Sequence, residues 1–254
     1  MQQSMVRDRT AVRTVHNAAV DAPKTRAIVT VALALAALLA PAGPAAAQRA
    51  PSPREVADYT GLFAAAHAGD AAAVARQVAA GAPVDGRDGY DRTPLHVAAY
   101  AGRAEAMRAL VRAGANPNAL ERDRYDIVTI AAVANDTATL TLALELGASP
   151  KSITSRYDGT ALIAASHLGH VEVVRLLIRA GAPLDHVNNL GWTALIESIV
   201  LGDGGARHTA TLKALVDAGA NVNLADRSGD TPLALARRQG HRDIVSILER
   251  AGGR

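Results

Sequence analysis

Thr160-Ala161-Leu162-Ile163-Ala164-Ala165-Ser166-His167-Leu168-Gly169-His170-Val171-Glu172-Val173-Val174-Arg175-Leu176-Leu177-Ile178-Arg179-Ala180-Gly181-Ala182 reads as two short helices folded against each other. Thr160 is suited to accept hydrogen bonds from the first free amides as an N-cap, and Leu162, Ala165 and Ser166 fall on one helical face. Gly169 breaks the helix. A second helix starts near His170, where Val173, Val174, Leu176, Leu177 and Ile178 give a broad apolar side, and it ends at Gly181, the residue type best suited to a left-handed C′ position. Neither helix can bury its apolar stripe alone, so units of the same shape must stack on each side.

Such units are present. Laying the cap and the closing Gly-Ala over the chain puts equivalent starts at Thr60, Thr93, Asp126, Thr160, Thr193 and Thr231. The closing glycines are Gly81, Gly114, Gly147, Gly181, Gly219 and Gly252. Successive starts are 33, 33, 34, 33 and 38 residues apart, the period of a solenoid of helix pairs, with a loop insertion in the last interval. Thr93-Pro94-Leu95-His96-Val97-Ala98-Ala99, followed by Gly102 and by Gly114-Ala115-Asn116-Pro117-Asn118, resembles the ankyrin repeat signature nearly letter for letter. The resemblance runs in register from Thr60 to the C-terminus. It implies an all-α solenoid of six helix-turn-helix units with short hairpin-like tips, in which His96 hydrogen-bonds between neighbouring units.

The departures from the pattern carry their own expectations. In the third unit Asp126 can still cap, but Thr129 replaces the histidine, which predicts a weaker or re-angled interface, and Asn135 stands where a glycine is usual. Unit four has one extra residue near Tyr157-Asp158-Gly159. Unit five inserts Leu201 to His208, whose glycines point to a mobile loop. Residues 48–59, with Pro51 and Pro53, read as a linker or the start of a cap.

Lys24-Thr25-Arg26, the apolar run Ala27 to Ala40, and Ala45-Ala46-Ala47 before Gln48 have the layout of a secretory signal peptide cleaved after Ala47. The alternatives are a buried alanine-rich helix and an uncleaved anchor. The apolar run, roughly 14 residues, is too short for an untilted span. Residues 1–47 therefore read as an N-terminal extension plus signal, with the mature protein periplasmic or secreted and without a stable membrane span. The absence of cysteine does not oppose export, because stacked repeats are stabilised through their interfaces. Arginine used almost to the exclusion of lysine, with much alanine and glycine, suggests a bacterial source.

Of the 27 basic and 24 acidic side chains, five and two respectively lie before residue 48, leaving 22 of each in the repeat region. A formally neutral region offers no general attraction to phosphate backbones, so nucleic acid is not an expected partner. His67, His96, His167, His170 and His241 occupy positions that the repeat explains, and His167 and His170 are separated by the break at Gly169. No metal, cofactor or catalytic residue is expected: a nucleophile elbow, a phosphate-cradling loop and a cysteine-containing metal pattern are all missing from the sequence.

Proteins that resemble this chain bind partners on a concave surface made of the tips between units and the exposed side of each first helix. Mapped here, that surface takes in Tyr90, Arg92 and Tyr100, then Arg122 and Tyr125, then Arg156, Tyr157, His167 and Leu168. It continues through Asn189, Leu190, Trp192, Val200 and Leu201 to Arg227, Asp230 and Arg238. Four of the five tyrosines and the one tryptophan fall on this strip, and aromatic and arginine side chains dominate interface hot spots. The sequence thus points to a monomeric, non-enzymatic scaffold for a protein partner of unknown identity. A secreted host-directed effector using the same face is the alternative, and a periplasmic ligand-binding protein or enzyme a weaker one.

Overall fold

The computed structural model describes residues 48–254, so the expected leader lies outside the described residues. Helix α1 (Pro53–Asp58) precedes six helix pairs. These are α2 (Gly61–Ala68) with α3 (Ala71–Ala79), α4 (Pro94–Tyr100) with α5 (Ala104–Arg112), and α6 (Ile127–Val133) with α7 (Thr137–Glu145). They continue with α8 (Ala161–Leu168) and α9 (Val171–Arg179), α10 (Ala194–Val200) and α11 (Ala206–Asp217), and α12 (Pro232–Gln239) and α13 (Arg242–Arg250). The expected all-α solenoid of six helical units is what the chain forms.

Five of the six first helices start where a short polar side chain meets a free amide. The oxygens of Thr93, Asp126, Thr160, Thr193 and Thr231 accept from the amide three residues on, at 3.3, 2.8, 3.3, 3.2 and 3.3 Å. Thr60 makes no such bond, and the residue after it, Gly61, takes φ +54°. Asn135 adopts φ +54°, the left-handed conformation that glycine holds at Gly69, Gly102, Gly169 and Gly240 and that asparagine tolerates better than most residues.

The first helices form one layer, with α4 packed between α2 and α6, α8 between α6 and α10, and α12 against α10. The second helices form another, α5 against α3 and α11 between α9 and α13. The core lies between the layers. Leu95, Met107, Leu110, Leu140, Leu162, Leu177, Leu195 and Ile196 are at most 1 % exposed there, and each contributes on the order of 1.5–3 kcal/mol by leaving water. Because facing units supply both walls of this core, no unit is stable alone.

Two details depart from expectation. Residues 48–59 are more than a linker: Ser52 and Glu55 form a reciprocal capping box, with Pro53 in the first turn of α1. The Leu201–His208 insertion is tied down. Its Asp203 carboxylate accepts from the Gly205 amide at 2.9 Å and meets His208 Nδ1 at 2.8 Å, while His208 Nε2 reaches the His167 carbonyl at 2.9 Å. Gly204, at φ +67°, lies so close to the His241 ring that a Cβ would stand 1.8 Å from Nδ1. The glycines serve close packing.

Between units two and three, His96 Nδ1 accepts from the Thr93 amide at 3.1 Å, which puts the ring proton on Nε2. That N–H is shared by the carbonyls of Ala119 and Tyr125 at 3.0 and 3.1 Å. In unit three the substitute, Thr129, donates one hydroxyl bond to Thr154 Oγ1 at 3.0 Å. The interface keeps a polar link, but a thinner one.

Candidate protein-binding face

Each tip is folded by a side-chain acceptor placed five residues before the following cap. Asp88 Oδ1 accepts from the amides of Tyr90 and Arg92 at 2.8 and 2.9 Å, and Glu121 Oε1 from those of Asp123 and Tyr125 at 3.0 and 3.1 Å. Asn188 Oδ1 accepts from Leu190 and Trp192, both at 3.0 Å, and Asp226 Oδ1 from Ser228 and Asp230 at 2.8 and 3.0 Å. Unit four, with its extra residue, has Ser155 at this spacing, and Ser155 Oγ accepts from the Tyr157 amide alone at 3.2 Å. The recurring Asp, Glu or Asn ahead of the other caps is a signal that the sequence carries.

Neighbouring tips are then stitched together. The amides of Arg122, Ser155 and Asn189 donate to the carbonyls of Tyr90, Arg124 and Tyr157 at 3.2, 3.1 and 2.9 Å. Side chains add to this seam. Tyr90 donates its hydroxyl to Asp123 at 3.0 Å, Arg122 pairs with Asp91 at 3.3 Å, Arg156 with Asp123 at 3.1 Å, and Asn189 donates to the Arg156 carbonyl at 3.0 Å. Surface ion pairs of this kind are individually weak, but here each one spans two units.

Several residues expected on an open strip are instead covered. The Arg92 side chain is 1 % exposed, paired with Asp88 at 2.8 Å and with Glu55 of α1. Burial would raise the Asp88 carboxyl, but the hydrogen bonds from Tyr59, the Arg92 and Tyr90 amides and the Arg92 guanidinium outweigh it and hold the group below its usual range. Tyr125 is buried, which pushes its hydroxyl up to about 12. Tyr100 and Trp192 are half-buried and pack against the core. Glu121 is buried too, and desolvation raises its carboxyl above the ordinary range.

The accessible apolar surface lies elsewhere on the tips. Among the described residues the exposed large hydrophobics are Ile153, Tyr157, Val187 and Leu190, at 48, 48, 49 and 40 %. All four stand on the tips of units four and five, which the Asn189 to Tyr157 bond holds side by side. Tyr157 and Leu190 belong to the expected strip; Ile153 and Val187 do not. Single exposed apolar residues are ordinary, whereas four on two adjoining loops form a patch.

Beside these tips His167 is exposed, its Nδ1 3.4 Å from the buried Glu197 carboxylate, whose other oxygen accepts from Asn188 Nδ2 at 3.0 Å. Leu168 is half-buried. Arg227 packs over Gly191, and Arg238 pairs with Asp230 at 2.6 Å at the far end. His96, His170, His186 and His208 each hydrogen-bond a backbone carbonyl. Among the described residues no cluster of three or more potential ligands could hold a metal ion, and no helix is long and apolar enough to cross a membrane.

Comparison with known proteins gives a consistent pattern. A family model described as ankyrin repeats in three copies matches residues 33–121 and 128–225. The ankyrin repeat protein YahD of Escherichia coli is 39 % identical over 99 residues, which are 39 % of this chain and 49 % of YahD, so the chain spans about half the length of that relative. Cyclin-dependent kinase 4 inhibitor B of Rattus norvegicus is 32 % identical over 120 residues, 36 % of this chain and 92 % of the rat protein. The crystal structure of an ankyrin repeat domain from Acinetobacter baumannii superposes with a TM-score of 0.71 at 42 % identity, covering 76 % of this chain and 98 % of that one.

Proposed function

Because this chain belongs to the ankyrin repeat family, we propose that it is a non-enzymatic module whose tips, centred on units four and five, hold a partner protein. The observation that carries the reading is the patch of Ile153, Tyr157, Val187 and Leu190 on two adjoining loops. Tip backbones fixed by their own acceptors and by each other lose little conformational entropy on binding, so a few apolar anchors supply the affinity. His167, Asn189 and Arg156 give the patch a polar rim. One relative carries inhibition of a kinase in its name, which supports a protein as the class of partner.

The test is capture of binding proteins by immobilised wild type and by the variant I153S/Y157S/V187S/L190S. Retention is expected to fall at least about tenfold, the effect of losing roughly 1.4 kcal/mol, while the helical circular dichroism and the melting curve stay in place. Retention that is unchanged in a folded variant removes the patch from the interface.

We also propose that the chain is exported and works outside the cytoplasm, from the basic, apolar and small-residue order of residues 24–47. Mass spectrometry of the osmotic-shock fraction is expected to find a chain beginning at Gln48. A chain found only in the growth medium favours the effector reading, and one found in the cytosol with its leader intact rejects export.

A further inference from the structure

The stretch Gln48 to Tyr59 lies across units two and three on polar contacts. Gln48 Nε2 donates to the Thr129 carbonyl at 2.8 Å, and Arg92 Nη1 donates to the Arg49 carbonyl at 3.2 Å. The Arg49 guanidinium sits 4.7 Å from the centre of the Tyr90 ring, Glu55 pairs with Arg92, and Tyr59 donates to Asp88 at 2.7 Å. Arg49 and Glu55 also approach each other at 3.7 Å. Helix α1 buries none of its residues. Tyr59 is anchored by stacking on Phe63 with ring centres 5.4 Å apart. What holds residues 48–58 upstream of it is a set of hydrogen bonds, ion pairs and one cation–π contact, and another chain of the same chemistry can supply each of them.

The surface beneath is built for a chain that turns into a short helix above Arg92. Arg92 is fixed by Asp88 and offers its guanidinium to a carbonyl and a carboxylate together, Tyr90 offers a ring face, and the Thr129 carbonyl offers an acceptor on the next unit.

We propose that Tyr90, Arg92 and the Thr129 carbonyl form a docking site for a short peptide that turns into a helix, as residues 48–58 do. Its occupant is an arginine whose own carbonyl meets Arg92, with a carboxylate about six residues further on, as in Arg49 and Glu55. Residues 48–59 are its built-in occupant, and a partner's segment displaces them. This site stands on units two and three and does not depend on the patch of units four and five.

The probe is a fluorescent synthetic peptide with the sequence of residues 48–59, titrated into the full chain and followed by anisotropy. In wild type the tethered copy competes at high effective concentration, so binding is expected to be weak. The variant R49A/E55Q loosens the tethered copy while leaving the docking surface whole, and the peptide is expected to bind it at least tenfold more tightly. Adding Tyr90→Ser to that variant removes the ring face and is expected to reverse the gain. Where circular dichroism finds R49A/E55Q unfolded, the milder Q48A/R49A takes its place with the same expected direction. Equal binding to wild type and loosened variant, absence of binding to both, or indifference to Tyr90→Ser overturns the proposal.

Discussion

Replacing Arg92 by alanine is expected to lower the unfolding free energy by about 3 kcal/mol, toward the lower end of what breaking a buried ion pair costs, because Glu55 keeps some contact with water. The guanidinium is the junction of three pieces of chain: the tip through Asp88, α1 through Glu55, and the arm through the Arg49 carbonyl. Its removal leaves the Asp88 carboxylate, itself 8 % exposed, without its counter-charge. Urea denaturation followed by circular dichroism measures the loss. The double variant R92M/D88N, which removes both charges and keeps an acceptor for the tip amides, is expected to recover more than half of it. A loss below about 1 kcal/mol for Arg92→Ala, in the range of an exposed pair, would mean that the buried junction contributes little.

His96 predicts a dependence on pH with a definite sign. Burial, outweighing the two backbone carbonyls that its Nε2–H serves, holds its pKa down to about 4, against an ordinary value of 6.5. The folded chain thus binds the proton less readily than the unfolded one. The stabilisation is complete above the unfolded value and is lost as pH falls from there toward the folded value. At about 1.4 kcal/mol per unit, the loss between pH 7.5 and 5 is roughly 2 kcal/mol, and about 3 kcal/mol by pH 4. Carboxylates with shifted values, such as Glu121, titrate over part of this range as well, so the comparison is with His96→Gln. The stability gap between wild type and variant is expected to narrow by roughly 2 kcal/mol from pH 7.5 to 5. A gap that is the same at both values would show that His96 is not held neutral by its surroundings.

The repeats were legible in the sequence because their signals are local. A threonine or aspartate cap acts on an amide three residues away, and a closing glycine reports a left-handed turn in its own backbone, so each unit announces its ends without reference to its neighbours. Asn135 in place of glycine was readable for the same reason. The burial of Arg92 was not, since it depends on Glu55, 37 residues earlier, folding back over the tip. Ser52-Pro53-Arg54-Glu55 did contain a capping box that the two prolines of the stretch obscured. Tyr125 passed for a surface anchor because a tyrosine near a tip suits either side of the loop, and only the packing of the fold decides between them. Ile153 and Val187 were overlooked for the opposite reason: an apolar β-branched residue is assigned inward by default, and neither is.

The insertion in unit five shows how glycine misleads when it is read without a partner. Gly202 and Gly204 in sequence suggest freedom, whereas in the fold a Cβ on Gly204 would strike His241 and one on Gly202 would lie 2.1 Å from the Ser198 carbonyl. Both glycines are places where the chain is approached closely by another part of itself, and for Gly204 that part is His241, 37 residues further on.

Photo-crosslinking from a benzoylphenylalanine placed at Leu190 bears most directly on what this protein does, with the same group at Lys213, exposed on the outer helix α11, as reference. In extract, illumination is expected to join a partner protein to the chain through position 190 and to leave the chain modified at 213 unlinked. Adducts formed through 213, with none through 190, would place the interface on the opposite layer of the solenoid and contradict the account.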